Sequence, residues 1–192
     1  TIISILKNND ASSIDLDNLT SGNNYSTSFV EDEGVVSISN NVTITDVDDV
    51  NMESAVITLT NNLNGVANEN ISLTPSQISI ALSSFDITVN TSTDNVISLT
   101  GSSSKENYQT VIDQIVYKNS TINLNTTNRI ITIKVNDGNE VSNTASTIIS
   151  ILKNNDASSI DLDNLTSGNN YSTSFVEDEG VVSISNNVTI TD

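Results

Sequence analysis

Apolar and hydroxyl-bearing residues alternate along most of this chain. Val56-Ile57-Thr58-Leu59-Thr60 and Ile131-Thr132-Ile133-Lys134-Val135 are the clearest stretches. A period of two is that of a strand with one face buried. The same reading predicts strands over residues 25–30, 35–39, 42–45, 55–60, 71–73, 78–82, 85–89, 96–100, 115–118 and 129–135. A return strand follows through 140–152. The β-branched run at residues 1–6 reads as another strand. Its repeat at 147–152 reads as the last strand of a complete domain. One segment departs from the period. Tyr108, Val111, Ile112 and Ile115 stand at i, i+3, i+4 and i+7, which predicts a single short helix starting near Lys105, with Ser103 or Ser104 as its cap. About ten short strands, one helix and regular turns predict an all-β, antiparallel Greek-key sandwich.

Residues 147–192 repeat residues 1–46 without a single difference, an offset of 146 positions. That period is the size of an independent domain, too long for a solenoid unit. The expectation is a tandem array. Residues 1–10 are the last strand and linker of one repeat. Residues 11–156 are a full period, with a sandwich core over about 25–152. Residues 157–192 open the next repeat.

Charge then changes the picture. The chain carries 24 acidic and 6 basic residues, a net charge of −18, with no His and no Cys. So acidic a surface disfavours nucleic acid and anionic membranes. There is no disulfide or thiolate chemistry. No apolar run approaches the roughly 18 residues of a membrane span. With one Pro and seven Gly, the turns must be built mostly from Asn and Asp. Glu31-Asp32-Glu33 and Asp46-Val47-Asp48-Asp49 stand where strands end, with little basic charge beside them. Chain reversal is expected to bring the two clusters together. Crowded carboxylates repel, and a hard divalent cation relieves them. Calcium at the end of the sandwich is therefore expected at Glu31, Glu33, Asp46 and Asp48. The alternative is that these acids are solvated turn residues, the reading adopted for Asp86, Asp94 and Asp113. Asp137 is a further candidate calcium ligand; it also begins an Asp-Gly turn, which by itself accounts for an Asp there.

The order of these motifs resembles the cadherin-type repeat. It runs from Phe29-Val30-Glu31 and Gly34, through Val42-Thr43-Ile44-Thr45-Asp46-Val47-Asp48 and Asn51, to Asp137-Gly138-Asn139. An Asn-Asp linker stands at Asn8-Asn9-Asp10-Ala11 and again at Asn154-Asn155-Asp156-Ala157. The bacterial cadherin-like, immunoglobulin-like repeats of giant surface adhesins are the nearer likeness, and residues 105–117 resemble that branch. The family's middle Asp-x-Glu motif has no clear counterpart here, and residues 14–24 lengthen the junction. The resemblance implies an extracellular or cell-surface stalk or filament rigidified by calcium between successive repeats. Glu31, Asp46 and Asp48 would supply carboxylates, joined by Asn9 and Asp10. In the second copy, Asn155, Asp156, Glu177 and Asp192 would correspond, and Asp15, Asp17 and Asp49 are substitute ligands. The implied partners are neighbouring repeats and other copies in a filament. A binding module or a fibre subunit associating by strand exchange is the other reading. Low aromatic content argues against a sugar site, and a flat Thr surface for ice is a lesser alternative. No catalysis is expected. Lys134 is the one candidate for an internal isopeptide crosslink.

Overall fold

The computed structural model describes residues 8–192. The strand expected at 1–6 lies outside them. The chain divides into Thr1–Lys153 and Asn154–Asp192.

The first unit runs β1 (Ser13–Asp15), β2 (Tyr25–Val30), β3 (Val35–Ser37), β4 (Thr43–Thr45), β5 (Asn51–Leu59) and β6 (Glu69–Ser72). Helix α1 (Pro75–Phe85) follows, then β7 (Thr88–Asn90), β8 (Val96–Ser104), α2 (Lys105–Asp113), β9 (Val116–Asn119), β10 (Arg129–Asn136) and β11 (Ala145–Leu152). Six strands form one sheet in the order β2-β11-β10-β5-β8-β7, three form another as β3-β9-β6, and β1 pairs with β4. The alternation read from sequence is the burial pattern observed. On β10, Ile131, Ile133 and Val135 face inward, and Ile130, Thr132 and Lys134 face out. Phe29 of β2 meets Tyr117 of β9 edge to face, ring centroids 5.3 Å apart, so the two sheets share one core. Ile14 and Leu16, ahead of the core expected at 25–152, are fully buried in it.

The fold is mostly β-sheet, as expected, with three departures. Among the described residues there are two helices, not one. The strand expected at 78–82 is the middle of α1. Thr74 caps that helix through a reciprocal capping box with Gln77, Pro75 occupies the first turn, and Asp86 closes it in the left-handed region at φ 56°. Ile78, Ala81, Leu82 and Phe85 also carry helical spacing. The Ser residues between them imitate a strand period. Second, the sheet is not wholly antiparallel, because β2 lies parallel to β11, Tyr25 opposite Thr147 and Val30 opposite Leu152. Third, Gly101 inside β8 sits at φ +136°, and a Cβ there would lie 2.1 Å from the Asp86 carbonyl oxygen. The glycine permits the close approach of β8 to the end of α1.

The second unit repeats one piece of the first. β12 (Ser159–Asp161) pairs with β13 (Thr189–Thr191) in the register that β1 uses with β4. Asp163 accepts from the amide of Leu165 at 3.3 Å and from Asn186 Nδ2 at 3.1 Å, as Asp17 does from Leu19 and Asn40. The copy of β2 forms no strand here. Phe29 is 2% exposed, but its duplicate Phe175 is 66% exposed. The ribbon is local. The edge strand requires β11 as its partner.

Candidate metal centre

β10 runs antiparallel to both β5 and β11. The loop after β4, the loop after β10 and the incoming segment Asn8-Asn9-Asp10 therefore meet at one pole of the sandwich. Asp46 and Asp137 organise their loops in the same way. The Asp48 and Asp49 amides donate to Asp46 Oδ1 at 3.0 and 2.8 Å. The Asn139 and Glu140 amides donate to Asp137 Oδ1 at 2.7 and 2.8 Å. Each is a short polar side chain folding its own turn. The incoming segment is tied to both loops. Asn9 Nδ2 donates to Asp137 Oδ2 at 3.1 Å, Asn139 Nδ2 donates to Asn9 Oδ1 at 3.1 Å, and the Asp10 amide reaches Asp48 Oδ1 at 3.4 Å.

Carboxylate oxygens of Asp46, Asp48 and Asp49 lie within 4.8 Å of one another. Oxygens on opposite sides of one calcium ion stand about 4.6–5.2 Å apart, twice the usual bond length. The spacing fits. Asp46 Oδ2 is buried and makes no hydrogen bond. The Ser12 hydroxyl lies beside that carboxylate but donates to Met52 Sδ at 3.4 Å. Burial alone would raise the pKa of Asp46. The Asp49 and Asp48 amides outweigh it, and the group stays below its ordinary range despite the negative charge of Asp137. Asp137 is likewise lowered, burial being overcome by the Glu140 and Asn139 amides and by Asn9. Both acids are held as anions. Lys105, at the start of α2, donates its ammonium to the carbonyls of Asp46 at 3.2 Å and Asp49 at 2.7 Å. It braces the loop's backbone.

The two acidic clusters do not meet. The Glu31 amide donates to the Leu152 carbonyl at 3.0 Å, where β11 ends. Asp137 lies beyond the other end of β11, because Ile133 pairs with Ala145 at its start. Eight residues of strand, roughly 23 Å, separate the two ends. Parallel pairing of β2 and antiparallel pairing of β10 on the same strand sends Glu31 and Asp137 to opposite poles. Glu33 is exposed on the turn after β2, its amide bonded to the Val30 carbonyl at 3.2 Å. Asn155, Asp156 and Glu177 are exposed in the second unit. There Asp192 accepts from the Ser158 hydroxyl at 2.9 Å. Asp17 and Asp113 are turn organisers. Asp17 serves Leu19 and Asn40, and Asp113 accepts from the Val42 amide at 3.1 Å and the Ser39 hydroxyl at 2.9 Å. Lys134 is exposed on the outer face of β10.

One constellation had no warning in the strand pattern. At the opposite pole Arg129 and Glu69 form an ion pair in which both side chains are 0% exposed. Glu69 Oε1 also accepts from the Tyr117 hydroxyl at 2.8 Å, and Oε2 accepts the amides of Leu63 at 3.0 Å and Asn64 at 2.8 Å. The guanidinium further donates to the carbonyls of Asn125 and Thr127 and to Asn64 Oδ1. Burial raises the Tyr117 hydroxyl pKa well above its ordinary value, and the neighbouring Glu69 adds to the shift. Among the described residues, no helix is long and apolar enough to cross a membrane.

No protein-family model and no curated protein matches this chain.

Proposed function

We propose that this chain is a structural repeat of an extracellular or cell-surface stalk or filament. Calcium, bound where the linker enters each sandwich, stiffens the junction. The observation that carries the reading is the convergence of three separate stretches on one pole. They are the incoming Asn9-Asp10, the Asp46–Asp49 loop and the Asp137–Asn139 turn, and every side chain they offer to a ligand ends in a carboxylate or amide. Asp46, Asp48 and Asp49 are the carboxylates that would hold the ion, with Asn9, Asp10, Asp137 and Asn139 around them. A hard cation would relieve the repulsion among these acids and join the linker to the domain that follows it. The residue-for-residue repeat and the cadherin-like order of motifs point the same way, to a Greek-key unit in tandem array. Extracellular modules bind calcium at about 10⁻⁴–10⁻³ M. At about 100 times the dissociation constant, one such site stabilises the folded state by about 2.7 kcal/mol. That is a substantial share of a typical 5–15 kcal/mol domain stability.

Small-angle scattering from a chain of two full periods tests the proposal. Added calcium is expected to extend the particle and narrow its distribution of dimensions, and a chelator should reverse both. Identical scattering with calcium and with chelator would contradict a metal-stiffened stalk.

A further inference from the structure

Asn64-Gly65 is the one Asn-Gly pair in the chain. It lies in the loop between β5 and β6, over the buried Arg129. Asn64 Oδ1 accepts three hydrogen bonds, from Arg129 Nη2 at 2.6 Å, Asn119 Nδ2 at 3.1 Å and the Asn125 amide at 3.4 Å. An oxygen that collects three donors, one of them cationic, is in surroundings better suited to a carboxylate than to an amide. Among the described residues, Asn64 Nδ2 donates to no other group. Exchanging that NH₂ for oxygen therefore removes no hydrogen bond.

The neighbouring residue favours the same exchange. Gly65 is exposed, nothing lies within 4 Å of where its Cβ would be, and its φ is +82°. Its amide donates to no group among the described residues. A glycine amide is the least hindered backbone nucleophile, because no side chain blocks its approach to the preceding Asn. The three donors on Oδ1 draw electrons from Cγ and stabilise the oxyanion that forms on attack.

We propose that Asn64 deamidates spontaneously in the folded protein, giving an aspartate that takes over the hydrogen bonds of Arg129, Asn119 and Asn125. The Gly65 amide loses its proton to solvent base and attacks Asn64 Cγ. The new N–Cγ bond closes a succinimide. The Cγ–Nδ2 bond breaks, and the nitrogen takes a proton and leaves as ammonia. Water then adds at Cγ and reopens the ring to a normal aspartate, with the backbone path restored. Opening at the other carbonyl would insert an extra backbone methylene. That would displace the Gly65 carbonyl from the Asn68 and Glu69 amides, which it accepts at 3.0 and 2.9 Å, so the loop favours the normal aspartate. The new carboxylate and Glu69 then share one guanidinium. Ageing strengthens this pole of the repeat, independently of any metal at the other.

The test is peptide mapping of the whole chain after prolonged incubation at mildly alkaline pH, folded and in denaturant. The folded chain is expected to gain about 1 Da at Asn64 ahead of its other Asn residues, with electron-transfer fragmentation identifying normal aspartate. The melting temperature should rise by about 2–4 °C as conversion proceeds. The Asn64→Asp variant should start at the higher value and drift no further. The proposal is overturned by an amide that persists at Asn64 in the folded chain while the denatured chain converts. Isoaspartate as the product, or an Asn64→Asp variant melting below the parent, would also overturn it.

Discussion

Replacing Arg129 by Met should cost more stability than any exposed charge change in this chain. The methionine fills much of the space of the aliphatic stem but leaves Glu69 as a fully buried carboxylate without its counter-ion. Three donors remain to it: the Tyr117 hydroxyl and the amides of Leu63 and Asn64. They solvate the charge without neutralising it. The carbonyls of Asn125 and Thr127 also lose their partner. Breaking a buried pair from one side typically costs about 3–5 kcal/mol. We expect about 4 kcal/mol, against a total of about 5–15 kcal/mol for a domain. Urea unfolding followed by far-ultraviolet circular dichroism suits a chain without Trp. Glu69→Leu alone should cost a comparable amount, because it strands the guanidinium. The double variant should fall short of the two single costs combined by at least about 2 kcal/mol, since it buries no lone charge. A single Arg129→Met variant within about 1 kcal/mol of the parent, or strictly additive costs, would refute the reasoning.

Three further outcomes follow from the same geometry. Asp48→Asn and Asp137→Asn should weaken calcium binding in a titration, and Glu31→Gln, at the opposite pole, should leave that site's affinity unchanged; equal losses in all three would contradict the placement. Gly101→Ala puts a Cβ 2.1 Å from the Asp86 carbonyl oxygen at φ +136° and should lower stability by roughly 3 kcal/mol or more, read from the urea midpoint. Asp46 and Asp137 are both held below the ordinary aspartate range when folded, so the stability they add is present above that range and lost as pH falls through their folded values. A metal-free melting scan should therefore decline below about pH 4, less steeply in Asp137→Asn, and an unchanged slope in that variant would count against the hydrogen-bonded anion.

The sequence revealed those features that depend on near neighbours. The bounds of β2 and the helical spacing of α2 were legible because period and capping are local. The duplicated segment shows where that legibility stops. The ribbon of Ile14 with Ile44 forms again at Ile160 and Ile190, but the copy of Tyr25–Val30 forms no strand. That strand exists through β11, 122 residues further on, and strand preference follows such partners more than residue type. The same long-range pairing separates Glu31 from Asp46, although only a short stretch of chain lies between them. Helix α1 is a different kind of miss. Its capping box, Thr74 with Gln77, was there to be read, and the alternating Ser residues hid it. The Arg129–Glu69 pair left no trace in the pattern, because Arg129 occupies an inward position on β10 that an apolar residue would ordinarily fill.

The most direct test of the metal-stiffened repeat is thermal unfolding of the metal-free 192-residue chain titrated with calcium, beside the Asp46→Asn/Asp48→Asn variant. The account predicts a melting temperature that climbs with calcium in the parent and stays flat in the variant. A parent that melts at the same temperature in saturating calcium and in chelator would contradict it, and the acids at this pole would then be turn residues and nothing more.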